Sequence, residues 1–261
     1  MGKLAGKTAL VTGGSRGIGR SICTQLSAAG ALVAVHYGSD DAAARETVSS
    51  IEAVGGQAFA IRAELGTDGD AEAVITALES GLRERAGLSH LDILVNNAAT
   101  SASAGGIDRE TVEAFDWLFA VNVRAPFFLI QRALPLMGTG GRVINIGSGV
   151  TRIAVPGELA YAMTKAAMET LTRNLANDLG ARGITINTVA PGPTRTDRMA
   201  AFLDRPQIQA AIAASQAIER VGAPADIANV VTFLATNDSG WLTANVLDAT
   251  GGSYLGPKQL G

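Results

Sequence analysis

Short apolar runs alternate with longer stretches of helical spacing along the whole chain. The apolar runs predict strands, and they lie at residues 8–12, 32–36, 57–61, 91–95, 142–146, 184–189 and 244–248. The helical spacing predicts helices at residues 41–54, 70–85, 111–121, 161–179 and 224–235. Because strand and helix take turns, we expect parallel strands joined by right-handed crossovers. The prediction is a single α/β domain over residues 1–261, a Rossmann-like, doubly wound sheet of about seven strands with helices on both faces.

Composition and charge narrow the classes of function. The chain has 261 residues, of which 47% are hydrophobic, and its net charge is -3. Without a basic surface field we expect no nucleic-acid or membrane partner, which makes small-molecule chemistry the default. The one cysteine, Cys23, cannot form an internal disulfide. No apolar stretch approaches the roughly 20 residues that span a bilayer. We therefore expect a cytoplasmic protein.

A glycine-rich stretch follows the first predicted strand directly. Gly13, Gly17 and Gly19 mark a turn that leads into a helix predicted to begin near Ile18. The free amides and positive dipole end of a helix N-terminus favour a phosphate, and glycine lets that phosphate approach the backbone. A tight turn with close helix packing is the alternative interpretation. The strand before the turn and the helix after it favour nucleotide binding.

The end of the second predicted strand indicates which nucleotide is bound. NAD sites usually place a carboxylate there for the ribose hydroxyls, whereas Asp40 and Asp41 come later and look like helix-start residues. Side chains able to hold a 2′-phosphate lie nearby instead. They are Arg16 and Ser39, with His36 and Tyr37 as possible helpers. The pattern favours NADP(H) over NAD(H), with a solvated Arg16 as the alternative.

Several further motifs occur in a fixed order. They are Thr12-Gly13-x3-Gly17-x-Gly19, Asn96-Asn97-Ala98-Ala99, Asn122, Ser148, Tyr161-x3-Lys165 and Pro191-Gly192. Together they resemble the short-chain dehydrogenase/reductase family over essentially the whole chain. The pattern is most similar to 3-oxoacyl-carrier-protein reductases and hydroxynaphthalene reductases. Ala99 and Gly147 replace a Gly and a Ser of the family pattern, and both exchanges are between small residues.

The candidate catalytic residues match the chemistry of ketone reduction. A hydride must reach carbon while a proton reaches oxygen, so the site needs an acid beside that oxygen. Tyr161 and Lys165 are four residues apart and share a helix face, and a nearby cation favours a phenolate. Ser148 can hydrogen-bond the substrate oxygen. The resemblance implies that Lys165 also binds the nicotinamide ribose and that Asn122 holds a water for proton resupply.

The same resemblance assigns a set of cofactor-binding positions. Around the glycine turn these are Gly13, Ser15, Arg16, Gly17, Ile18 and Gly19, and after the later strands they are Glu64, Leu65, Asn97, Ala98, Pro191, Gly192, Thr194 and Thr196, beside Tyr161 and Lys165. Asn97 and Ala98 should line the cofactor, and the residues from Pro191 to Thr196 should meet the nicotinamide carboxamide. Glu64 stands where the family usually has Asp near the adenine, which leaves that contact open.

The substrate side is less defined. Residues 195–221 should form a lid, with Met199, Phe202, Leu203, Ile208 and Ile212 as its apolar side chains. The facing segment 153–156 is also apolar, which favours a ketone or secondary alcohol with an apolar body. Arg152, Arg195 and Arg198 are candidates for an acidic substrate group, with solvation as the alternative.

Two other interpretations stay open. Carrier-protein reductases dock their partner through two arginines, whose places are taken here by Pro135 and Asn177, although Arg132 and Arg173 are near. A free ketone is therefore favoured over an acyl-carrier substrate. A nucleotide sensor or scaffold is the non-catalytic alternative, for which a Tyr161 and Lys165 pair would be unnecessary.

Histidine content and helix surfaces complete the expectations. His36 and His90 are the only histidines, so no histidine triad or metal cluster is expected. The segments 111–132 and 158–179 are apolar on more than one face, with Trp117, Phe127 and Phe128 among these residues. This pattern predicts a homo-oligomer, a dimer or a tetramer.

Overall fold

The computed structural model describes residues 2–101, 105–253 and 255. Seven parallel strands form one sheet in the order β3-β2-β1-β4-β5-β6-β7. The strands are β1 Thr8–Val11, β2 Leu32–Tyr37, β3 Gln57–Arg62, β4 Ile93–Asn96, β5 Arg142–Ile146, β6 Thr185–Pro191 and β7 Val246–Ala249. Each coincides with a predicted apolar run, so the predicted doubly wound α/β fold is confirmed.

Helices connect the strands on both faces of the sheet. They are α1 Gly17–Ala28, α2 Asp41–Glu52, α3 Asp70–Ala86, α4 Val112–Phe119, α5 Ala125–Ala133, α6 Leu159–Gly180, α7 Asp197–Leu203, α8 Pro206–Ala214 and α9 Pro224–Ala235. Within the described ranges, no helix combines the length and the apolar content required to cross a membrane.

Alternate side chains of the strands enter two separate cores. Along β1, Ala9 and Val11 face one core and Leu10 faces the other. The helical residues that close the first core include Ile22, Ile51 and Val231, and those that close the second include Leu78, Leu129 and Leu179. Because both faces are covered, the central strands are apolar throughout rather than alternating.

The strand order reverses between β1 and β4. From β1 the chain moves outward through β2 and β3, then returns to pair β4 against the other side of β1, with Val11 opposite Val95. A crevice opens beyond the carboxyl ends of the strands at such a reversal, and ligands of doubly wound sheets bind there. This crevice places the glycine turn after β1 beside the Asn97 segment after β4.

The helix predicted at 111–121 is interrupted. Its α-helical hydrogen bonds end at Phe119, and a π-helical turn at Ala120–Arg124 joins α4 to α5. Such turns widen the helix by one residue and are frequent at functional sites. Asn122 lies in the middle of this turn.

Candidate active site

The glycine turn has the backbone conformation that its residue types require. Gly13 and Gly17 have φ of +61° and +51°, in the left-handed region that favours glycine. A Cβ on Gly19 would stand 2.0 Å from the Gly13 carbonyl oxygen, so Gly19 allows α1 to pack on the turn. Tight packing and an open helix N-terminus therefore coexist in one segment. Half-buried Ile18 lies in the first turn of α1 and packs on the core.

Residues beneath the glycine turn fix its position through packing and hydrogen bonds. A Cβ on Gly14 would lie 2.8 Å from Cys23 Sγ, so the thiol fills the space below the turn. Cys23 is fully buried, and burial raises the pKa of its thiol. The Ser15 carbonyl accepts hydrogen bonds from Arg20 Nε and Thr47 Oγ1, both at 3.0 Å. The polar groups under the turn are thus used to hold its shape.

The segment after β4 is tied to the same turn. Thr12 Oγ1 accepts hydrogen bonds from the amides of Asn97 at 2.9 Å and Ala98 at 3.0 Å. Asn97 Nδ2 donates in return to the carbonyls of Thr12 at 2.8 Å and Gly13 at 3.1 Å. The four bonds join the two sides of the strand reversal into one unit. Thr12 was not predicted as a site residue, although a hydroxyl at the end of β1 beside two asparagines was the available signal.

His36 corrects one sequence expectation. It was expected to help bind a phosphate, but it is 2% exposed, and both its ring nitrogens are used internally. Nδ1 accepts from the Gly13 amide at 3.2 Å, so Nε2 carries the proton and donates to the Ala63 carbonyl at 3.0 Å. Burial lowers the pKa of His36 to about 4. The neutral imidazole therefore supports the glycine turn from below.

The other predicted phosphate-binding residues lie around the start of α2. Ser39 is exposed, while the Tyr37 ring is buried and its hydroxyl donates to Asp41 Oδ1 at 2.6 Å. That hydrogen bond raises the pKa of Tyr37, so the hydroxyl stays protonated and committed to Asp41. Arg16 forms an ion pair with Asp40. The Arg16 side chain is 56% exposed, so its predicted phosphate-binding role and the alternative of a solvated charge both stay predictions.

On the adenine side, the two positions after β3 differ in environment. Glu64 is exposed, and Leu65 is half-buried against the second core. The Glu64 carbonyl accepts from Thr67 Oγ1 at 3.1 Å, which shapes the loop. Contact of either residue with a bound adenine stays a prediction.

The segment after β6 closes the site from the opposite side. A Cβ on Gly192 would lie 2.9 Å from Thr250 Cα, so this glycine allows the loop to pass close to the end of β7. Thr194 is buried, and its hydroxyl donates to the Gly192 carbonyl at 2.9 Å. The Thr196 methyl group lies 3.2 Å from the position of a Cβ on Gly17. The structure therefore brings the segment from Pro191 to Thr196 against the glycine turn.

Tyr161 and Lys165 lie one turn apart near the start of α6. The Lys165 Nζ stands 5.6 Å from the Tyr161 ring centroid. Lys165 is 4% exposed, and its Nζ donates to the Ile146 carbonyl at the end of β5 at 2.8 Å. Tyr161 is half-buried. The Lys165 side chain is thus buried and fixed between α6 and the strand that leads to Ser148.

Ser148 begins a short helical turn at Gly149–Arg152 that is fastened to α6. Its Oγ accepts from the Val150 amide at 3.2 Å, a bond that leaves the hydroxyl proton unused. Thr151 Oγ1 donates to Glu169 Oε1 of α6 at 2.7 Å. With the Lys165 bond to Ile146, α6 holds both ends of the Ser148 segment. The Ser148 segment and Lys165 are therefore joined through α6 and the end of β5, and their shared catalytic role with Tyr161 stays a prediction.

Asn122 holds the π-helical turn through its side-chain amide. Oδ1 accepts from the Thr100 amide at 2.8 Å, and Nδ2 donates to the Thr100 carbonyl at 2.8 Å and to Thr164 Oγ1 at 3.1 Å. Thr164 directly precedes Lys165 in α6. The predicted role in holding a water stays a prediction. Thr164 was not anticipated from the sequence.

Comparison with known proteins agrees with this geometry. A family model described as enoyl-(acyl carrier protein) reductase matches residues 13–253. The hydroxynaphthalene reductase of Aspergillus fumigatus is 38% identical over 250 residues, which cover 92% of this chain and 89% of that protein. The chain belongs to the short-chain dehydrogenase/reductase family.

Two solved structures of this family are more similar still. LugOII, described as a promiscuous reductase that catalyses keto-reduction at C1 during lugdunomycin biosynthesis, is 52% identical with a TM-score of 0.93, over 97% of this chain and all of that one. The landomycin C-6 ketoreductase LanV with bound NADP and rabelomycin is 48% identical with a TM-score of 0.89, over 98% of this chain and 99% of that one.

A chain of buried polar side chains connects the strands beneath the candidate site. Asn96 Nδ2 donates to Asn145 Oδ1 at 2.8 Å, and Asn145 Nδ2 donates to Thr172 Oγ1 at 3.0 Å. Thr172 also shares a hydrogen bond of 2.7 Å with Thr188. The chain joins β4, β5, β6 and α6 beneath the site. It was not predicted, because its members are far apart in sequence.

The predicted lid segment contains α7 and α8. Phe202 is 44% exposed, whereas Leu203 is fully buried, which corrects its expected place on the cleft surface. Arg195 pairs with Asp204 at 3.2 Å and Arg152 with Asp248 at 2.8 Å, so both arginines have protein partners. The lid function stays a prediction.

Glu158 directly precedes α6 and interacts electrostatically with Arg198 in α7. Burial raises the pKa of Glu158, and Arg198 opposes that shift.

Among the described residues, no group of three or more His, Cys, Asp or Glu side chains is arranged to hold a metal ion.

Proposed function

We propose that this protein is an NADP(H)-dependent ketoreductase that transfers hydride between nicotinamide and a ketone or secondary alcohol. The single observation that carries the proposal is the pairing of Tyr161 with Lys165 one turn apart in α6, at the carboxyl end of β5. Lys165 Nζ lies 5.6 Å from the Tyr161 ring and is fixed to the strand leading to Ser148. A nucleotide sensor has no need for this arrangement.

The residues around the glycine turn fit a dinucleotide. Apart from its own chain neighbours and helix backbone, the described residue within 4 Å of a Cβ on Gly17 is Thr196 alone, so the turn leaves room for a phosphate. The α1 N-terminus supplies free amides, and Arg16 supplies a positive charge. Arg16 and Ser39 would hold the 2′-phosphate, Asn97 and Ala98 would line the ribose, and the segment from Pro191 to Thr196 would meet the carboxamide.

The reaction depends on proton transfer by residues of this chain. When bound, the nicotinamide supplies or accepts the hydride at the substrate carbon. Tyr161 gives its phenolic proton to the carbonyl oxygen in reduction and takes a proton back in oxidation. Ser148 donates a hydrogen bond to the same oxygen, using the proton that Val150 leaves free. The Lys165 ammonium stabilises the negative charge left on the phenol.

The substrate that we propose is a fused-ring aromatic ketone. Relatives whose names specify substrates act on a hydroxynaphthalene and on angucycline compounds. Exposed apolar side chains flank the Ser148 and Tyr161 elements here, namely Ile153, Leu159, Met163 and Phe202, each between 41% and 47% exposed. Such a surface suits a flat apolar body. An acyl-carrier substrate is less well supported, because Arg132 is paired with Glu72 at 3.4 Å.

We also propose a homo-oligomer located in the cytoplasm. Trp117, Phe127 and Phe128 of α4 and α5 are 38%, 42% and 44% exposed, an apolar surface that a partner subunit would cover. The free, buried Cys23 is consistent with a reducing compartment. Light scattering at micromolar concentration tests the assembly, and a clean monomer would contradict it.

One assay tests the function. Turnover is measured with NADPH and NADH against fused-ring aromatic ketones, simple aliphatic ketones and 3-oxoacyl thioesters, beside a fluorescence titration of NADPH. The expected result is NADPH binding with the fastest turnover on fused-ring ketones. NADPH binding without turnover over the whole panel would favour the sensor, and preference for the thioesters would favour the carrier-protein reductase.

A further inference from the structure

The acidic residue after β2 contacts the proposed phosphate-binding arginine. Asp40 is the N-cap of α2, and its Oδ1 accepts from the Ala43 amide at 2.9 Å. Its Oδ2 forms the ion pair with Arg16. One carboxylate therefore does two things, capping a helix and holding the guanidinium.

The position of this pair matters for cofactor choice. Arg16 directly precedes Gly17, the first residue of α1, and is the N-cap residue of that helix. Asp40 follows β2 by three residues, near the strand end where a carboxylate favours an unphosphorylated ribose. A doubly charged 2′-phosphate would meet an arginine that is already partly neutralised, together with a like charge beside it.

Resting on the function proposed above, we propose that Asp40 acts as a counter-ion of Arg16 and lowers the preference of the site for NADP(H) over NAD(H). The carboxylate competes with the 2′-phosphate for the guanidinium and can accept a hydrogen bond from a free 2′-hydroxyl. The wild-type protein then binds both cofactors with moderate discrimination.

Asp40 affects NADP(H) affinity in two opposite ways, and the larger of the two effects decides whether the affinity rises or falls. Pre-orienting Arg16 would help NADP(H), but the two side chains are 56% and 32% exposed, and ordering an exposed pair contributes little. Repulsion between a carboxylate and a nearby phosphate acts on every NADP(H) molecule that binds. The net result is weaker NADP(H) binding.

The test is Asp40→Asn, because asparagine caps a helix as well as aspartate does and removes only the charge. Dissociation constants for NADPH, NADH and adenosine 2′,5′-bisphosphate are measured by fluorescence titration or calorimetry, without any turnover. We expect NADPH and the bisphosphate to bind about fivefold more tightly to the variant, and NADH to bind equally or slightly more weakly. Asp40→Ser, a second capping residue without charge, should behave alike.

Glu52→Gln is the matched control. Glu52 lies on the same helix, at its other end, and pairs with Arg85 at 3.7 Å. Losing this charge should leave all three dissociation constants within about twofold, since the charge is screened over such a separation. Circular dichroism confirms that each variant keeps the fold.

The outcomes separate the two proposals. A ratio of NADPH affinity to NADH affinity that stays constant or falls in both Asp40 variants, while the wild type binds NADPH, overturns the counter-ion role and leaves the proposed function intact. A wild type that binds neither cofactor overturns both. A rise in the ratio for the Asp40 variants and not for Glu52→Gln supports the counter-ion role.

Discussion

The cofactor side and the substrate side of the crevice are built differently. Beneath the glycine turn, Thr12, Asn97 and His36 hold backbone groups through hydrogen bonds. At Gly14 and Gly19 a larger side chain would collide with neighbouring atoms. Across the crevice, Phe202 and Met163 are nearly half exposed, and α7 and α8 are short. We infer that the first side recognises one constant ligand and the second adapts to varied ones. Relatives that share the fold but differ in their named substrates agree with this division.

The largest expected effect separates chemistry from cofactor binding. Tyr161→Phe removes the acid and leaves the ring, so turnover should fall by about a thousandfold. The NADPH dissociation constant should stay within about threefold, because the glycine turn is untouched. Steady-state kinetics and a fluorescence titration measure the two quantities. Retained turnover would show that another group supplies the proton.

The next effect tests how little space the cofactor side allows. Gly19→Ala places a Cβ 2.0 Å from the Gly13 carbonyl oxygen. Because this is a collision with the backbone, the turn must move. We expect the free energy of unfolding to fall by about 3 kcal/mol and NADPH binding to weaken strongly. Gly38→Ala is the control, since among the described residues no atom outside its chain neighbours lies within 4 Å of its Cβ position, and it should change little. Equal behaviour of the two variants in chemical denaturation would contradict the rigid turn.

The third effect is a pH dependence of stability that originates at His36. The pKa falls from 6.5 to about 4 on folding, so between these values the unfolded chain binds a proton that the folded protein does not. Stability therefore rises with pH across this window and is lost as pH falls from 6.5 to 4, by up to about 3 kcal/mol.

Denaturation curves from pH 4 to 7 measure this dependence. In His36→Gln the amide can accept from Gly13 and donate to Ala63 without titrating, so the His36 contribution to the slope should vanish. His90→Gln changes the other histidine, which is half exposed and pairs with Asp92, and should retain the His36 contribution. A slope unchanged by His36→Gln would refute the assignment.

The smallest effect concerns two neighbouring residues in the predicted lid segment. Phe202→Ala removes an exposed ring, so kcat/KM for a bulky aromatic ketone should fall about tenfold while stability stays within about 0.5 kcal/mol. Leu203→Ala, in contrast, opens a cavity in the core and should cost about 3 kcal/mol. Kinetics and thermal denaturation distinguish the two variants. If Phe202→Ala lost as much stability as Leu203→Ala, the Phe202 ring would be part of the core, and the substrate side would not be more adaptable than the cofactor side.

Sequence patterns predict local structure and chemistry better than long-range partnership. The strands and the Tyr161 to Lys165 spacing follow from periodicity within a few residues, which is why both agree with the structure. The π-helical turn at Asn122 depends on Thr100 and Thr164, 22 and 42 residues away along the chain. No local pattern contains that information.

His36 illustrates the same limit from the other direction. Its position at a strand end suggested a role towards a ligand, but the direction of a strand side chain depends on the pleat and on what lies below. There the Gly13 amide and the Ala63 carbonyl provide partners, and burial removes the charge. Asp40 was anticipated as a helix-start residue, and its Arg16 contact depends on how β2 and α1 meet in space.

The thiol sealed under Gly14 gives the molecule a built-in reporter. Because Cys23 has no solvent exposure, an alkylating reagent can reach it only when α1 lifts away from the sheet. The rate of Cys23 alkylation therefore reports how often α1 opens. A nucleotide bound to the glycine turn above Cys23 should lower this rate. Alkylation of the single cysteine can thus measure local opening around the glycine turn without an introduced label.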